Sequence, residues 1–478
     1  MELQEIAAKL SRQCRGNAQV TGITHDSRLV QPGDLYIAVP GLTQHGHEFV
    51  EQALANGAVA IATDEVGLSH VRAEVPAITL EAVRFEMGLI AAQLNGHPEK
   101  ELDIVGITGT NGKTTTAFMV SHILEATDRK VGLIGTLGVR IGQTLIPGAR
   151  TTPESTDLYR TFSQMHSAGA THVVMEVSSH ALALDRVAGV QFRVAAFTNL
   201  TQDHLDFHST MEEYFLAKAQ LFKFADVAVI NVDDEWGMRL ANETPCPVVV
   251  RLGTNGNYEI TSIEQSLSAG VKFSLRCPTG TLGVSIPMVG QFNAANAAMA
   301  IALCAELGIS ANESVAALQD FPGVPGRCER VPSSVAAIVD YAHTPDAVEK
   351  VLTAIRAASP NRIITVIGCG GDRDPSKRQA MGQAAGERSD VVVVTDDNPR
   401  SELPESIRKE VVTGANRTQS SVIEIADRRE AIRYALEHAI AADVVVVLGK
   451  GHETGQEIAG VVYPFDDREV IRQESPHA

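Results

Sequence analysis

A glycine-rich loop at residues 106–117 is the first stretch whose composition could do chemistry; it reads GITGTNGKTTTA and follows the apolar run DIV. Glycines let a backbone approach a phosphate, Lys113 supplies a mobile cation, and the hydroxyl of Thr114 can bind magnesium at the start of a helix. The spacing departs from the usual phosphate loop, because Ile107 stands where that loop has its first glycine. The residues alone leave two alternatives, a phosphate-binding loop and a glycine-rich turn between a strand and a helix.

Two further residues near the ends of apolar runs could bind a metal ion. Glu176 lies in MEVSSH, and His204 lies in TNLTQDHLDFH. A carboxylate is a typical magnesium ligand, and histidine is a common metal ligand. Each also has a simpler interpretation: Glu176 as a paired acid at a strand end, and His204 as a loop histidine bonded to backbone.

The apolar runs themselves indicate an α/β fold. GDLYIAVPG is the clearest strand near the N-terminus, and the middle of the chain has DIVGITG, KVGLIGT, HVVMEVSS, VAAFTNL and DVAVINVDD. After the Pro/Gly-rich FPGVPGR, a third block repeats the pattern with AAIVDYAH, RIITVIGCGG, DVVVVTDDNPR and DVVVVLGKGHE. Helix-like segments separate most of these short runs, which favours parallel sheets. Ligands gather at the carboxyl ends of such strands, so the polar residues there are site candidates.

The length of 478 residues predicts about three domains at a prior of roughly 150 residues each. We expect them at residues 1–85, 86–324 and 325–478: a small α/β domain, a central domain around the glycine-rich loop, and a second doubly wound unit. The 40 basic against 58 acidic residues, a net charge of −18, argue against nucleic acid as a partner. The absence of a long apolar run argues against membrane insertion, and scattered cysteines favour the cytoplasm.

Six motifs, in this order, carry a specific resemblance: GTNGKTT, MEVSSHAL, TNLTQDHLD, GQFNAANAAMA, GVPGRCE and DYAHTPDA. The chain resembles the ATP-dependent Mur ligases, which add amino acids to the peptide stem of the cell-wall precursor. The resemblance implies three domains: one for the UDP-sugar, a P-loop mononucleotide-binding domain for ATP, and a Rossmann-like domain for the incoming amino acid. ATP and Mg²⁺ are the implied cofactors.

The resemblance also implies roles around the nucleotide. Lys113 contacts the β and γ phosphates, and the metal is held by Thr114, Glu176, His204 and a carbamylated Lys218; Lys113, Glu176, His204 and Lys218 form the catalytic set. Capping asparagines, a linker ion pair for Arg327 and a solvated Lys218 are the alternatives. The implied nucleotide-binding residues are Gly109, Thr110, Asn111, Gly112, Lys113, Thr114, Thr115, Asn293, Asn296, Arg327 and Asp340.

The substrate residues follow from further matches to the members of the family that add the third residue of the stem. The implied contacts to the UDP-muramoyl-dipeptide are Ser27, Thr151, Thr152, Ser178 and Arg186, and those to the amino acid are Arg373, Asp397, Asn398, Pro399, Arg400, Gly449 and Glu453. DDNPR is similar to the signature of ligases that choose meso-diaminopimelate. The second carboxylate of that amino acid can accept two parallel bonds from Arg400, whereas the terminal ammonium of lysine would be repelled.

The implied reaction adds meso-2,6-diaminopimelate to UDP-N-acetylmuramoyl-L-alanyl-D-glutamate through an acyl phosphate, and we expect a monomer. The first alternative is the same reaction with L-lysine as acceptor. A folate-polyglutamate ligase and a non-catalytic nucleotide-binding module are more distant alternatives. DDNPR argues against lysine, the Ser27 region against the folate ligase, and the joint presence of Lys113, Glu176, His204 and Lys218 against a non-catalytic module.

Overall fold

The structure is a computed structural model that describes residues 1–41, 44–148, 150–203, 207–358 and 361–475. The predicted metal ligand His204 lies outside the described residues. Within these ranges, no helix combines the length and the apolar character that a membrane crossing requires. The α/β fold class predicted from the sequence is confirmed, because sheets and helices alternate along the chain in N-terminal, middle and C-terminal units.

The N-terminal unit is a small mixed sheet with short helices around it. Its elements are α1 (Leu3–Leu10), β1 (Cys14–Arg15), β2 (Gly22–Thr24), β3 (Asp34–Ile37), a 3-10 helix (Gly46–Phe49), α2 (Val50–Ala55), β4 (Ala60–Thr63), α3 (Glu65–Leu68), β5 (Ala77–Thr79) and α4 (Val83–Leu94). The strand order is β1-β5-β4-β3-β2, and only the edge pair β1 and β5 is antiparallel.

The middle unit carries the glycine-rich loop on a larger sheet. Its elements are a 3-10 helix (Pro98–Glu101), β6 (Asp103–Thr108), α5 (Lys113–Ala126), β7 (Val131–Gly135), β8 (Gly138–Ile141), β9 (Thr144–Ile146), α6 (Ser155–Ser167), β10 (His172–Glu176), α7 (Ser179–Ala183), β11 (Phe192–Phe197), α8 (Met211–Ala219), a 3-10 helix (Gln220–Phe224), β12 (Ala225–Asn231), α9 (Glu235–Glu243), β13 (Val248–Leu252), β14 (Glu259–Ser266), β15 (Gly270–Cys277), β16 (Gly280–Ile286), α10 (Phe292–Glu306) and α11 (Ala311–Gln319).

The strand order of the middle sheet brings the site residues together. The order is β13-β12-β11-β6-β10-β7-β8-β9, so β6 lies between β10 and β11. The register pairs Ile107 with Glu176 and Thr108 with Phe197. Because these strands are parallel, the loop after β6, the carboxylate at the end of β10 and the loop after β11 meet at one edge of the sheet.

Two features of the middle unit were not expected from the sequence. The sheet is parallel from β13 to β7, but β8 and β9 extend it as antiparallel strands. The strands β14, β15 and β16 form a separate antiparallel sheet. Their alternating polar and apolar residues match a sheet with one face on a core: Val271, Phe273 and Leu275 are buried, while the residues between them are more exposed.

The C-terminal unit is the doubly wound domain predicted after FPGVPGR. Its elements are β17 (Glu329–Val331), β18 (Ala336–Asp340), α12 (Pro345–Ala358), β19 (Ile363–Ile367), α13 (Lys377–Arg388), β20 (Val391–Val394), α14 (Pro404–Ala415), β21 (Ser421–Glu424), α15 (Arg428–Glu437), β22 (Val444–Leu448), β23 (Gly455–Ile458), β24 (Val461–Pro464) and α16 (Asp467–Glu474). The main sheet has the order β17-β18-β22-β19-β20-β21, with β17 antiparallel at its edge, and β23 and β24 form a hairpin.

The continuous apolar run of β22 follows from its central place in that sheet. Val444 and Val446 belong to one apolar core, and Val445 and Val447 belong to another on the opposite face. A strand that is covered on both faces has no solvent side, so alternation disappears from its sequence.

The predicted limits of the domains remain predictions. The boundary between residues 85 and 86 falls within α4, whose Met87 belongs to the same apolar cluster as Leu35 of the N-terminal sheet and Phe192 of the middle sheet. The N-terminal and middle units therefore share buried apolar contacts rather than being joined by a bare linker.

A fully buried ion pair supports the C-terminal unit. Arg428, at the start of α15, donates two hydrogen bonds of 2.7 Å to Asp467, at the start of α16, and one of 3.0 Å to the carbonyl of Leu448. Both charged side chains have 0% exposure. The pair therefore joins two helices to the carboxyl end of β22, where Gly449 and Glu453 follow.

We expect Asp467→Asn to lower the unfolding free energy of this unit by about 3–5 kcal/mol, because the guanidinium is left buried without its counter-ion. The measurement is chemical denaturation followed by a probe in the C-terminal unit. A double variant, Arg428→Met with Asp467→Leu, is the control and should recover much of the loss. A single variant as stable as the parent would show that the pair is not needed.

Candidate functional site

The backbone of the glycine-rich loop packs closely against neighbouring side chains. Gly109 and Gly112 have φ values of 140° and 87°, which side chains on L-residues rarely allow. A Cβ at Gly109 would collide with the hydroxyl of Thr198, and one at Gly112 would collide with the amide of Asn296. The glycines therefore let the loop fit between the end of β11 and α10.

The ammonium of Lys113 lies over its own loop. It donates to the carbonyl oxygens of Gly109 at 3.0 Å and of Thr110 at 2.8 Å. Burial lowers the pKa of Lys113, while the nearby carboxylates of Glu176 and Asp203 act in the opposite direction. The loop thus holds a cation that is poorly solvated.

The carboxylate of Glu176 is buried and accepts three hydrogen bonds. It accepts a hydrogen bond of 2.9 Å from the hydroxyl of Thr114, and two from Thr136: 2.8 Å from the backbone N–H and 3.1 Å from the hydroxyl. Thr136 follows β7, so this acid joins α5, β10 and β7. It is a paired strand-end acid, and its pairing with the Thr114 hydroxyl brings together two of the oxygen donors predicted for the metal.

These donors fit a hard cation. Magnesium prefers oxygen ligands and keeps several waters, so one carboxylate and one hydroxyl are a typical protein share of its shell. Among the described residues, no group of three or more His, Cys, Asp or Glu side chains could hold a metal ion by itself. Further ligands would have to come from water, phosphate, a modified lysine or the undescribed His204.

Lys218 is buried rather than solvated, contrary to the simpler interpretation of its helix. Its ammonium donates to the carbonyl of Gly109 at 2.9 Å and lies 4.5 Å from the ring centre of Tyr214. Burial lowers the pKa of Lys218 well below its usual value, and the charge of Lys113 lowers it further. The two lysines therefore share one acceptor, and the environment favours a neutral amine at Lys218.

A cavity of about 510 Å³ opens over the loop. Residues 110–115 line it together with Glu176, both asparagines of α10, Arg327 and Asp340. Asn293 donates to the carbonyl of Val289 at 2.7 Å, and Asn296 donates to Asn293 at 2.9 Å. Neither asparagine is the N-cap of α10, which is Gln291, so the capping alternative does not describe them.

Arg327 and Asp340 reach this cavity from the C-terminal unit. The guanidinium of Arg327 stacks 4.4 Å from the ring centre of Tyr341 and donates to the hydroxyl of Thr114 at 3.5 Å. The carboxylate of Asp340 accepts from the backbone N–H groups of Cys328 and Ala342, and burial raises its pKa. Both residues therefore face the glycine-rich loop across the boundary between the two units.

The residues predicted to contact the muramoyl substrate lie in three places. Thr151 and Ser178 line the first cavity. Thr152 and Arg186 lie behind it: the Thr152 hydroxyl donates to the carbonyl of Glu176 at 2.9 Å, and Arg186 donates to the carbonyl of Thr152 at 3.3 Å. Ser27 lies in the N-terminal unit, where it donates to Gln52 at 2.7 Å, and it lines neither of the two cavities.

A second cavity, of about 680 Å³, holds the residues predicted for the amino acid. Arg373, Asp397, Asn398, Arg400, Gly449 and Glu453 line it. Pro399 does not line it; its carbonyl accepts from the N–H of Glu402 at 3.0 Å within the turn. The cavity thus has guanidinium groups from two loops, and its carboxylates are those of Asp203, Asp346, Asp374, Asp397 and Glu453.

Hydrogen bonds within this cavity orient the side chains that line it. The amide of Asn398 donates to Glu453 at 2.8 Å, and the buried ammonium of Lys450 donates to Asn398 at 3.0 Å and to Glu453 at 3.2 Å. Arg400 donates to the carbonyl of Gly371 at 2.6 Å. Gly449 has φ 112°, and a Cβ there would lie 2.5 Å from the Asp397 carboxylate.

The two cavities share a wall made of Asp203, Tyr341, His343 and Thr344. The sequence analysis does not predict these four as site residues, although Asp203 lies in the motif TNLTQDHLD and the other three lie in DYAHTPDA. A nearby contact was missed as well: Asp346 accepts from Asn111 of the glycine-rich loop at 3.1 Å. The motif DYAHTPDA could have identified Asp346, because it runs from Asp340, at the end of β18, into the start of α12.

Three family models cover most of the chain. They are the Mur ligase family catalytic domain at residues 19–93, the Mur ligase middle domain at residues 107–304, and the Mur ligase glutamate ligase domain at residues 326–451. The hairpin of β23 and β24 lies beyond the last of these matches.

Whole-length relatives agree with these models. The chain is 46% identical to a UDP-N-acetylmuramoyl-L-alanyl-D-glutamate–2,6-diaminopimelate ligase of Streptomyces coelicolor, over 96% of this chain and 93% of that protein. It is 41% identical to a ligase of the same name in Alkaliphilus metalliredigens, over 99% and 97% of the two chains.

A solved structure of a UDP-N-acetylmuramoyl-L-alanyl-D-glutamate–2,6-diaminopimelate ligase is also similar. It has a TM-score of 0.69 and 34% identity, over 95% of this chain and 94% of that chain. A MurF structure from Acinetobacter baumannii, with a TM-score of 0.66 and 19% identity over 93% and 95% of the chains, shares the fold. From the family models and the whole-length identities, the chain belongs to the Mur ligase family.

Proposed function

We propose that this protein is an ATP-dependent ligase that adds meso-2,6-diaminopimelate to UDP-N-acetylmuramoyl-L-alanyl-D-glutamate in peptidoglycan precursor synthesis. One observation carries the proposal: a phosphate-loop cavity and a cavity with Arg400 and Glu453 meet at a common wall. An acid activated in the first cavity would therefore be within reach of an amine held in the second. The names of the relatives support the same reaction.

The first cavity would bind MgATP. Lys113 and the backbone of residues 109–115 would hold the phosphates, and Asn293, Asn296, Arg327 and Asp340 would contact the rest of the nucleotide. Thr114, Glu176, His204 and a carbamylated Lys218 would hold Mg²⁺, which neutralises phosphate charge when bound. The buried oxygen donors at Thr114 and Glu176, and the pKa of Lys218, lowered by burial, support this part.

The second cavity would recognise the two ends of diaminopimelate differently. Arg400 and Arg373 offer planar donors to carboxylates, and Glu453 offers a carboxylate to the distal ammonium. Lysine lacks the distal carboxylate, so its side chain would leave Arg400 without an anion and bring an ammonium towards it. The charges of Arg400 and Glu453 therefore support diaminopimelate over the alternative acceptor.

In the proposed reaction, the side-chain carboxylate of D-glutamate attacks the terminal phosphate of ATP. Lys113 stabilises the charge on the transferred group, and ADP leaves. The amine of diaminopimelate, held by the second cavity, then attacks the acyl phosphate carbon; an amide bond forms, and phosphate departs. The protein contributes positioning and charge rather than a nucleophile.

The position of the C-terminal unit is consistent with the proposed reaction. Arg327 and Asp346 contact the glycine-rich loop from that unit, so its docking closes the first cavity on one side. Exclusion of water from the acyl phosphate would protect it from hydrolysis. We further propose that the enzyme is cytoplasmic and monomeric, and that Ser27, Thr151, Thr152, Ser178 and Arg186 serve the UDP-muramoyl-dipeptide.

The reaction is tested by supplying ATP and the muramoyl-dipeptide with either diaminopimelate or L-lysine. We expect the product mass to show addition of diaminopimelate, and ¹⁸O placed in the D-glutamate side-chain carboxylate to be recovered in inorganic phosphate. The label must move because the acyl phosphate breaks at the bond between carbon and that oxygen. Preferential addition of lysine would favour the alternative acceptor, and unlabelled phosphate would refute the acyl phosphate.

The carbamate proposal is tested at Lys218. Because its pKa is lowered, the amine loses its proton at a lower pH than an exposed lysine does, and the neutral form can combine with carbon dioxide. We expect ¹³C-bicarbonate to give a carbamate NMR signal that Lys218→Arg abolishes, with ligation reduced about 100-fold. Lys223→Arg changes an exposed lysine nearby and is the control. A fully active Lys218→Arg enzyme would contradict the proposal.

The acceptor site is tested at Arg400. We expect Arg400→Ala to raise the KM for diaminopimelate about 100-fold, since it removes a charged partner of a carboxylate. The KM for ATP should change little, as measured by steady-state kinetics with each substrate varied. Arg429→Ala, which removes a partly exposed arginine paired with Glu474, is the control. Equal increases in both KM values would show that Arg400 has no specific role in the acceptor site.

A further inference from the structure

The hairpin of β23 and β24 is an unassigned element beside the second cavity. Its strands pair from Gly455 with Pro464 to Ile458 with Val461, and Ala459 and Gly460 form the turn. Both turn residues have positive φ, 50° and 79°, as a two-residue hairpin of the tightest type requires. None of its residues lines the cavity.

The backbone of this hairpin is bonded to the DDNPR loop. The N–H of Arg400 donates to the carbonyl of Glu457 at 3.0 Å, and the N–H of Ala459 donates to the carbonyl of Arg400 at 2.7 Å. Arg400 itself has φ 52°, so two left-handed residues other than glycine hold each other in place. Such a conformation costs free energy and persists only where neighbouring contacts enforce it.

Two more hydrogen bonds from the hairpin hold the same loop. The N–H of Glu457 donates to the side-chain oxygen of Asn398 at 3.0 Å, and the amide of Gln456 donates to the carbonyl of Asp397 at 2.7 Å. The hairpin thus contacts each of the residues of the loop that line the cavity. The hairpin therefore holds these residues in position, because it does not line the cavity itself.

The side chain of Glu457 also constrains the guanidinium of Arg400. One carboxylate oxygen lies 3.5 Å from Nε of Arg400, while Nη1 of Arg400 is held by the carbonyl of Gly371 at 2.6 Å. Nε therefore has an ion-pair partner and Nη1 has a hydrogen-bond acceptor before any carboxylate arrives. These two contacts restrain the planar group, which reduces the entropy lost on binding.

We propose that Glu457, presented by this hairpin, is a positioning residue that sets selectivity for the distal carboxylate of the acceptor through Arg400. The inference rests on the proposed function, because it concerns the same acceptor site. It differs from the assignment of Arg400 in that Glu457 touches no substrate. Its effect must therefore depend on the presence of Arg400.

The test compares steady-state kinetics of Glu457→Ala and Glu457→Gln with those of the parent enzyme. Because the pair is partly exposed, we expect Glu457→Ala to raise the KM for diaminopimelate about fivefold, with kcat and the KM for ATP unchanged. Glu457→Gln should have a smaller effect, since it keeps a polar oxygen near Nε and removes only the charge. Preference for diaminopimelate over L-lysine, as a ratio of kcat/KM, should fall with Glu457→Ala.

Two comparisons separate positioning from a general structural role. Glu349→Gln removes the same charge from another partly exposed pair of this unit, with Arg388, and lines neither cavity. It should leave the KM for diaminopimelate unchanged. In an Arg400→Ala background, Glu457→Ala should add nothing further, since its effect passes through the missing guanidinium.

The inference is overturned if Glu457→Ala leaves the KM for diaminopimelate unchanged or lowers it, if the KM for ATP rises equally, or if the double variant shows two independent effects. Should Glu457→Ala fail to fold, Glu457→Gln decides by the same criteria. A parent enzyme that does not ligate diaminopimelate at all would instead defeat the proposed function. The two failures are therefore distinguishable.

Discussion

The buried carboxylate of Glu176 is the contact on which the site in the middle unit depends. Thr136 after β7 and Thr114 at the start of α5 both donate to it, so one side chain joins two strand ends to the helix that follows the glycine-rich loop. A buried carboxylate is stable only when hydrogen bonds satisfy its oxygens. The same bonds place a hydroxyl and an acid side by side, both of which are oxygen donors of the kind that hard cations prefer.

The burial of two lysine side chains is the second physical constraint on the site in the middle unit. Lys113 and Lys218 both donate to the carbonyl of Gly109, and burial lowers both pKa values. Two ammonium groups this close repel each other, and an anion or a neutral amine relieves that repulsion. A bound phosphate at Lys113 and a modified amine at Lys218 are chemically consistent solutions to the same electrostatic problem.

The second cavity is lined mainly by residues of the C-terminal unit. Guanidinium and carboxylate groups of the second cavity lie on loops that the hairpin and the buried pair Arg428–Asp467 hold from behind. The positions of the lining side chains therefore depend on contacts outside the cavity. In the proposed reaction, the amine and the activated acid would meet at the wall that the two cavities share.

The sequence by itself determined the α/β class, because short apolar runs separated by helical segments favour parallel sheets. Its motifs, through their resemblance to Mur ligases, also named some of the residues that line each of the two cavities. Only the tertiary structure decided that Lys218 is buried, that Asp203 and His343 form the common wall, and that Glu457 restrains Arg400. It also revealed the antiparallel sheet of β14 to β16. Burial, pKa and side-chain orientation depend on atoms from segments far apart in the chain, which local spacing does not encode.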